Sequence, residues 1–244
     1  MRSSNPVLKE EIFQPFASSQ ENSQVMTLQS TINKSAILIL LTFCVAAYFY
    51  TSMSVTPAYV IGSGILGFVL AIIISFKPTT APALAPLYAI VKGVFVGSIS
   101  LTYGAMYEGI VSQALIYTFA TLFGMLTLYK FRVIQASEKM RSVLFAGIFA
   151  LIGVRVIAWI MGLFGSESLN GMIHGSGIMS IGISVLAVGL AAFFLILDFD
   201  MIEKGSQSGA PKHMEWYAGF ALLVTLIWLY LEILQLLAKL RGRD

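Results

Sequence analysis

Long apolar runs alternate with short polar connections along most of the chain. From residue 35 onward, turn residues and charges divide the sequence into apolar segments, each long enough to cross the ~30 Å hydrocarbon core of a bilayer as a helix. Seven segments are predicted, with approximate limits 35–53, 57–76, 84–106, 112–130, 142–164, 173–197 and 215–238. The pattern therefore predicts an all-α, polytopic integral membrane protein built as a seven-transmembrane-helix bundle.

The two ends of the chain are polar. Residues 1–34 are rich in Ser, Gln and Asn, and they have neither the early apolar core nor the small-residue cleavage site of a cleaved signal peptide. We expect residues 1–34 to form a loosely ordered polar tail, in which VLKEEIFQPF could alternatively form an interfacial helix. Residues 35–238 then form the transmembrane domain, and residues 239–244 a short basic tail.

Composition supports the membrane assignment and excludes several function classes. The chain is 57% hydrophobic and 11% charged, whereas soluble domains carry about a quarter charged residues. The single cysteine, Cys44, excludes an internal disulfide and a cysteine metal cluster. The net charge of +3 is modest and the basic residues are scattered among the loops, so nothing indicates a nucleic-acid partner.

Basic residues in the connections predict the orientation. The amino-terminal tail and the loops that carry Lys77, Lys130 and Lys204 are basic, and the alternate loops contain no Lys or Arg. This places the amino terminus in the cytoplasm and, with seven spans, the carboxyl terminus outside. The basic carboxyl end, with Lys239 and Arg241, breaks the pattern. Either that end is a tolerated exception, or the seventh segment is re-entrant and returns to the cytoplasm.

Four ionisable residues lie within apolar sequence. They are Lys92 in YAIVKGVFVG, Arg155 in LIGVRVIAWI, Asp198 in FFLILDFDMI and Glu232 in LIWLYLEILQLL. A charge at the centre of a membrane helix costs about 2.5–3.5 kcal/mol on insertion scales, so such groups usually pair or face an aqueous cavity. Two bases and two acids therefore indicate pairing, either as structural ion pairs or as part of a pathway.

Depth along each helix suggests which groups meet. At ~1.5 Å per residue, Arg155 and Glu232 lie roughly 20 and 25 Å from the cytoplasmic side, so they could form a pair. Lys92 and Asp198 are candidates for a second pair or for a water-filled vestibule. The same estimate does not easily place Asp198 beside Glu232. Asp200 is expected on the opposite helix face from Asp198, as a solvated residue.

Carboxylates in such positions suit proton and cation chemistry. Removal from water and a second acid nearby favour the protonated form of a carboxylate, and an adjacent base favours the charged form. An acid near a pore could therefore switch with pH. Carboxylate oxygens also suit calcium, although two carboxylates are few beside the six to eight ligands that calcium takes. Asp198 and Glu232 are therefore predicted to offer calcium a weak, transient site.

Three motifs, in this order and spacing, resemble the transmembrane Bax inhibitor family of Bax inhibitor-1 and YccA-like proteins. They are YAIVKGVFVGSIS in the third segment, ILDFDMIEKG at the end of the sixth and LYLEILQLL in the seventh. The resemblance implies a seven-helix bundle with the last helix central, in a bacterial plasma membrane. It also implies a pH-sensitive calcium leak governed by an acidic pair on the last two segments, here Asp198 and Glu232.

The sequence departs from this family pattern at two of its charged positions. Glu232 stands where relatives often have Asp, which keeps the charge but lengthens the side chain. Lys92 stands where many relatives have an acidic residue, and a lysine there would repel a cation. Arg155 and Lys92 are the predicted charge partners of the two acids.

Two other functions remain open. One is a proton-coupled transporter or exchanger that uses Asp198, Glu232 and their basic partners as a relay, although no inverted repeat is clear in the sequence. The other is a non-transporting regulator that binds a membrane quality-control protease through the polar tail. An enzyme is not expected and no cofactor is predicted, because the sequence has no H-E-x-x-H motif and His174 and His213 are isolated.

Overall fold

The computed structural model describes residues 25–52, 56–163, 175 and 177–242. Within these residues, seven helices are long and apolar enough to cross a membrane, which confirms the predicted fold class. A 3-10 turn, Pro78–Thr80, precedes the third helix. The helices are α1 (Leu28–Ser52), α2 (Pro57–Phe76), α3 (Ala81–Met106), α4 (Ile110–Lys130), α5 (Glu138–Leu163), α6 (Ile178–Gln207) and α7 (Met214–Arg241).

Several helices extend beyond the apolar segments that predicted them. Helix α1 begins at Leu28, inside the predicted polar tail, and helix α6 continues to Gln207 instead of ending near residue 197. Helix α7 ends at Arg241 and so takes in part of the predicted basic tail. Hydropathy marks the stretch that fits the hydrocarbon core, whereas a helix can continue into polar surroundings. These extensions carry most of the ion pairs described below.

Small and hydroxyl-bearing residues face the interior of the bundle, and large apolar residues face outward. The buried stripe of α1 consists of Thr31, Ser35, Leu38 and Thr42. Outward-facing residues on the same helix include Leu40, which is exposed. This arrangement is typical of helices that pack closely against one another within lipid.

Pairs of small residues lie at such contacts. Ser63 and Gly67 are buried on α2, and Gly93 and Gly97 are buried on α3. A Cβ atom at Gly97 would lie only 2.6 Å from the Ala46 carbonyl oxygen of α1. The close approach of α1 and α3 therefore requires glycine at this position.

Helix α7 occupies the centre of the bundle. It packs against α1, α3, α4 and α6, and the buried share of its most apolar stretch is the largest among the seven helices. This confirms the expectation that the last helix is central. Helix α7 is also a continuous helix of 28 residues, longer than the hydrocarbon core requires, which favours a full span over a re-entrant segment.

The two ends of the bundle differ in their charge. We call the end at which α1 begins the proximal end, and the end at which α7 ends the distal end. With seven spans joined in series, α4 and α6 finish at the proximal end, where α5 and α7 begin. The proximal end therefore carries Lys77, Lys130, Arg141 and Lys204.

Candidate functional site

Asp198 is buried where α6 packs against α7. It belongs to a stripe of α6 whose earlier members, including Ser184, Ala187 and Ala191, are small and buried, so the two helices lie close together. Asp198 is 7% exposed, and its neighbour on α7 is Thr225, whose hydroxyl donates to the Ala221 carbonyl oxygen at 3.3 Å. Its Oδ2 atom has no hydrogen-bond partner among the described residues.

Glu232 is buried further along α7, toward the distal end. Its Oε1 atom accepts hydrogen bonds from Arg155 Nη2 at 2.6 Å and from Trp228 Nε1 at 2.9 Å. Trp228 lies one turn earlier on α7, with its ring 5.8 Å from that of Phe194 on α6. The Oε2 atom has no hydrogen-bond partner in the described part of the chain, although Glu232 is only 2% exposed.

The structure forms one of the two predicted charge pairs. Arg155 and Glu232 make an ion pair, as the depth estimate allowed. Helix α5 packs mainly on α6, so the long arginine side chain reaches past α6 to the central helix. An arginine suits this role because its charged group lies at the end of a long apolar stem.

Asp198 and Glu232 do not form the acidic pair that the sequence motifs implied. Asp198 faces Thr225, and Glu232 lies seven residues further along α7, which is about 10 Å of helix rise. A shared proton between the two acids is therefore not part of this arrangement. Nor do the two acids form one calcium site, and among the described residues no group of three or more His, Cys, Asp or Glu side chains could hold a metal ion.

Lys92 does not pair with Asp198, which corrects the second predicted pair. Its side chain packs against Gly67 of α2, where a Cβ atom would lie 2.7 Å from Lys92 Cε. Its Nζ atom lies 4.6 Å from the centroid of the Phe95 ring and 5.8 Å from that of Tyr88. In the described part of the chain Lys92 forms no ion pair, and aromatic faces provide its nearest electrostatic contacts.

Comparison with protein families decides the identity of this seven-helix bundle. The chain matches the family described as Bax inhibitor 1 like over residues 5–242, a range that includes all seven helices. The chain belongs to the Bax inhibitor 1 like family. The family resemblance drawn from the three motifs is therefore confirmed. Among curated proteins, no sequence matches the chain.

The proximal end of this Bax inhibitor 1 like protein has ion pairs that the sequence did not reveal. Asp200 is buried and accepts hydrogen bonds from Arg141 on α5 at 2.7 Å and from Lys204 at 2.8 Å. It is therefore not the solvated residue that was expected, because α6 continues past it and α5 packs alongside. Glu203 accepts hydrogen bonds from Tyr129 and, at 2.6 Å, from Arg132.

Glu215 is the most deeply buried acid at the proximal end. It stands in the first turn of α7, is 1% exposed, and forms an ion pair with Lys34 of α1. In the sequence it directly follows a long polar loop, where an acid in the first turn of a helix is ordinarily solvated and favoured by the helix dipole. Its partner is 181 residues away along the chain, so no local signal marks the pair.

A further charged residue lies near the Arg155–Glu232 pair. Lys239 donates to Ser184 Oγ at 2.8 Å and to the Ser180 carbonyl oxygen at 3.4 Å, which connects the end of α7 to the start of α6. It also interacts electrostatically with Glu232 and Arg155. Among the described residues, Glu232 therefore has both Arg155 and Lys239 as cationic neighbours.

Proposed function

We propose that this Bax inhibitor 1 like protein is a pH-responsive cation leak, with calcium as the transported ion and no enzymatic activity. The observation that carries the proposal is a pair of carboxylate oxygens, Asp198 Oδ2 and Glu232 Oε2, which are buried in apolar helices without a hydrogen-bond partner among the described residues. Such oxygens are costly to bury, and acids retained inside membranes commonly mark ion or proton pathways.

The two acids act separately in this mechanism, Asp198 as a cation site and Glu232 through its ion pair. Charged Asp198 attracts a cation to the α6–α7 contact, and a protonated Asp198 does not. Protonation or deprotonation also changes the contact with Thr225, and a ligand or proton that favours one arrangement of α6 and α7 shifts the population toward it. Glu232 is held by Arg155, so its protonation releases an arginine that otherwise joins α5 to α7.

The position of Lys92 supports passage of cations along α6 and α7. Its ammonium group lies over aromatic rings of α3 and its stem lies against α2. Helix α2 packs against α3, whereas Asp198 lies at the contact of α6 with α7. The lysine therefore lies against a different helix pair from the one that forms the proposed cation site at Asp198.

The basic proximal end supports a cytoplasmic amino terminus, because cytoplasmic connections carry an excess of Lys and Arg. The bacterial plasma membrane stays a prediction from the sequence. Binding of a membrane protease by the polar tail is likewise a prediction, since residues 1–24 lie outside the described residues.

A proton-coupled exchanger is the second candidate, and one observation favours it. Glu232 has both Arg155 and Lys239 as electrostatic neighbours, and basic neighbours of a buried acid are typical of proton relays in membrane transporters. In that case the protein would move protons against a solute, and calcium flux would not be its primary activity.

Flux into liposomes that contain the purified protein tests both candidates. We would measure calcium entry and internal pH over a pH series for wild type, Asp198→Asn and Glu232→Gln, with Glu138→Gln as the control because Glu138 is exposed on α5. The leak predicts pH-dependent calcium entry that loses its pH dependence in the first two variants only. Proton movement without calcium entry would favour the exchanger, and no calcium entry in any variant at any pH would overturn the leak.

A further inference from the structure

The residues that lead into α1 are attached to the loop between α6 and α7. Val25 pairs with Pro211 in an antiparallel bridge, and the Met26 amide donates to the Ala210 carbonyl oxygen at 2.7 Å. The Met26 side chain is 3% exposed and packs on Gly205, where a Cβ atom would lie 2.9 Å from its Sδ atom. We call residues 25–34, which are the residues before α1 together with its first two turns, the strap.

Glu215 anchors this strap to the first turn of α7. Its carboxylate accepts hydrogen bonds from the Thr27 amide at 3.0 Å and from Ser30 Oγ at 2.9 Å, and it forms an ion pair with Lys34. Lys34 also lies over the Trp216 ring, 5.4 Å from its centroid. These donors to the buried acid all come from the strap, so α7 can bury Glu215 only while the strap stays in place.

The strap lies at the proximal end of the two helices that hold Asp198. Along α6, Asp198 stands nine residues before Gln207, which is about 13 Å of helix. Along α7, Thr225 stands ten residues after Glu215, which is about 15 Å. The Asp198–Thr225 contact therefore lies between two and three helix turns from these proximal positions. Any motion of α6 relative to α7 at that level has to be accommodated at the loop that the strap holds.

We propose that the strap is a latch that holds the proximal ends of α6 and α7 together. While the strap is seated on Glu215, the α6–α7 loop is fixed and Asp198 is closed off from the proximal side. When the strap leaves, Glu215 loses its donors, the first turns of α7 separate from α6, and Asp198 becomes accessible. The effect on flux rests on the proposed leak, whereas the effect on the loop itself does not.

A disulfide across the bridge tests the closed state. In an antiparallel pair, opposite residues have Cα atoms about 4.5–5.5 Å apart, which falls within the range that a disulfide spans. Val25→Cys with Pro211→Cys would be made in a Cys44→Ser background, so that no other thiol remains. Oxidation should reduce calcium flux severalfold, and reduction should restore it.

Two substitutions test the released state. Lys34→Gln and Glu215→Gln each weaken the anchor, and we expect each to raise flux and to increase amide hydrogen exchange in residues 205–214. Glu138→Gln, at the same end of the bundle but exposed, is the matched control and should change neither. Two independent release variants are used so that misfolding of one does not decide the result.

The outcomes separate the latch from the leak. If the oxidised protein conducts like the reduced one while Asp198→Asn still removes the pH dependence, the latch is wrong and the leak stands. If wild type does not conduct, the leak is wrong, and hydrogen exchange alone decides the latch. In that case, unchanged exchange in residues 205–214 in both release variants would overturn the latch, and increased exchange in both would support it.

Discussion

Asp198 on α6 lies beside Thr225 on α7, about 10 Å along the helix axis from Glu232. A threonine hydroxyl, and not a second carboxylate, therefore lies beside Asp198. The two buried acids consequently have different neighbours, a threonine for Asp198 and an ion pair with Arg155 for Glu232. Their contributions to stability and to flux should be separable by substitution.

Removal of the Thr225 hydroxyl should destabilise the protein. Thr225→Val keeps the shape of the side chain but removes the hydroxyl that lies beside the buried Asp198 carboxylate, and a buried polar group that loses its polar neighbour costs about 1–3 kcal/mol of unfolding free energy. Thr118→Val on α4 is the control, because the Thr118 hydroxyl, like that of Thr225, bonds to a carbonyl oxygen one turn earlier in its own helix. Thermal unfolding in one detergent compares the two variants, and equal losses would contradict the role of Thr225.

Loss of one partner of the Arg155–Glu232 pair should cost more than loss of both. Arg155→Met leaves a buried carboxylate without its cation. Breaking a fully buried pair costs about 3–5 kcal/mol, and because the Arg155 side chain is 38% exposed we expect a loss no larger than the lower figure. The double variant Arg155→Met/Glu232→Leu should recover most of that loss. Both are compared by thermal unfolding, and a double variant as unstable as the single one would show that the pair is not the source of the effect.

An exposed ion pair provides the control for this comparison. Arg141 Nη1 lies 3.7 Å from Glu138 Oε1, and Glu138 is largely exposed. Exposed pairs contribute about 0–1 kcal/mol, so Glu138→Gln should change the unfolding temperature little. A loss as large as that of Arg155→Met would mean that charge at the surface, and not burial, decides the stability.

Positions along the helix axes could be predicted from the sequence, and rotations about those axes could not. The rise per residue is fixed, so the depths of Arg155 and Glu232 followed directly from the segment limits. The direction in which Lys92 points depends on the rotation of α3, and a helix that is apolar on all sides gives little information about that rotation. The sequence therefore leaves Lys92 as a candidate partner of Asp198 or a residue of a water-filled vestibule, whereas in the structure it faces α2.

Contacts that join distant parts of the chain were also beyond the sequence. Glu215 and Lys34 are separated by 181 residues, and each lies in a stretch that is polar enough to be solvated. Asp200 similarly follows an apolar run and gives no sign that α5 covers it. Such pairs are formed by helix extensions outside the hydrocarbon core, which hydropathy does not detect.

Neutralising Asp200 should loosen the contact between α5 and α6. Asp200→Asn weakens the hydrogen bonds to Arg141 and Lys204, and bonds that involve charged groups contribute about 1.5–3 kcal/mol each. Because both cations can reach solvent, we expect a loss near the lower figure. Amide hydrogen exchange in residues 131–141 should increase, and exchange equal to wild type would show that this ion pair does not hold the linker.

Addition of one methyl group at Gly97 should separate α1 from α3. The new Cβ atom would lie 2.6 Å from the Ala46 carbonyl oxygen and 2.8 Å from Phe49 Cβ, and the backbone oxygen cannot move without shifting the helix. Overpacking of this kind costs about 1–3 kcal/mol. Thermal unfolding of Gly97→Ala in detergent measures this loss.

Gly124→Ala is the matched control for this substitution. A Cβ atom at Gly124 on α4 would meet no atom within 4 Å, so the methyl group should be tolerated. Alanine is the better helix former, by up to about 1 kcal/mol, and the variant should unfold at the wild-type temperature or above it. If Gly97→Ala also unfolds at the wild-type temperature, α1 can move away from α3 at little cost, and the close contact between these helices is not what stabilises that side of the bundle.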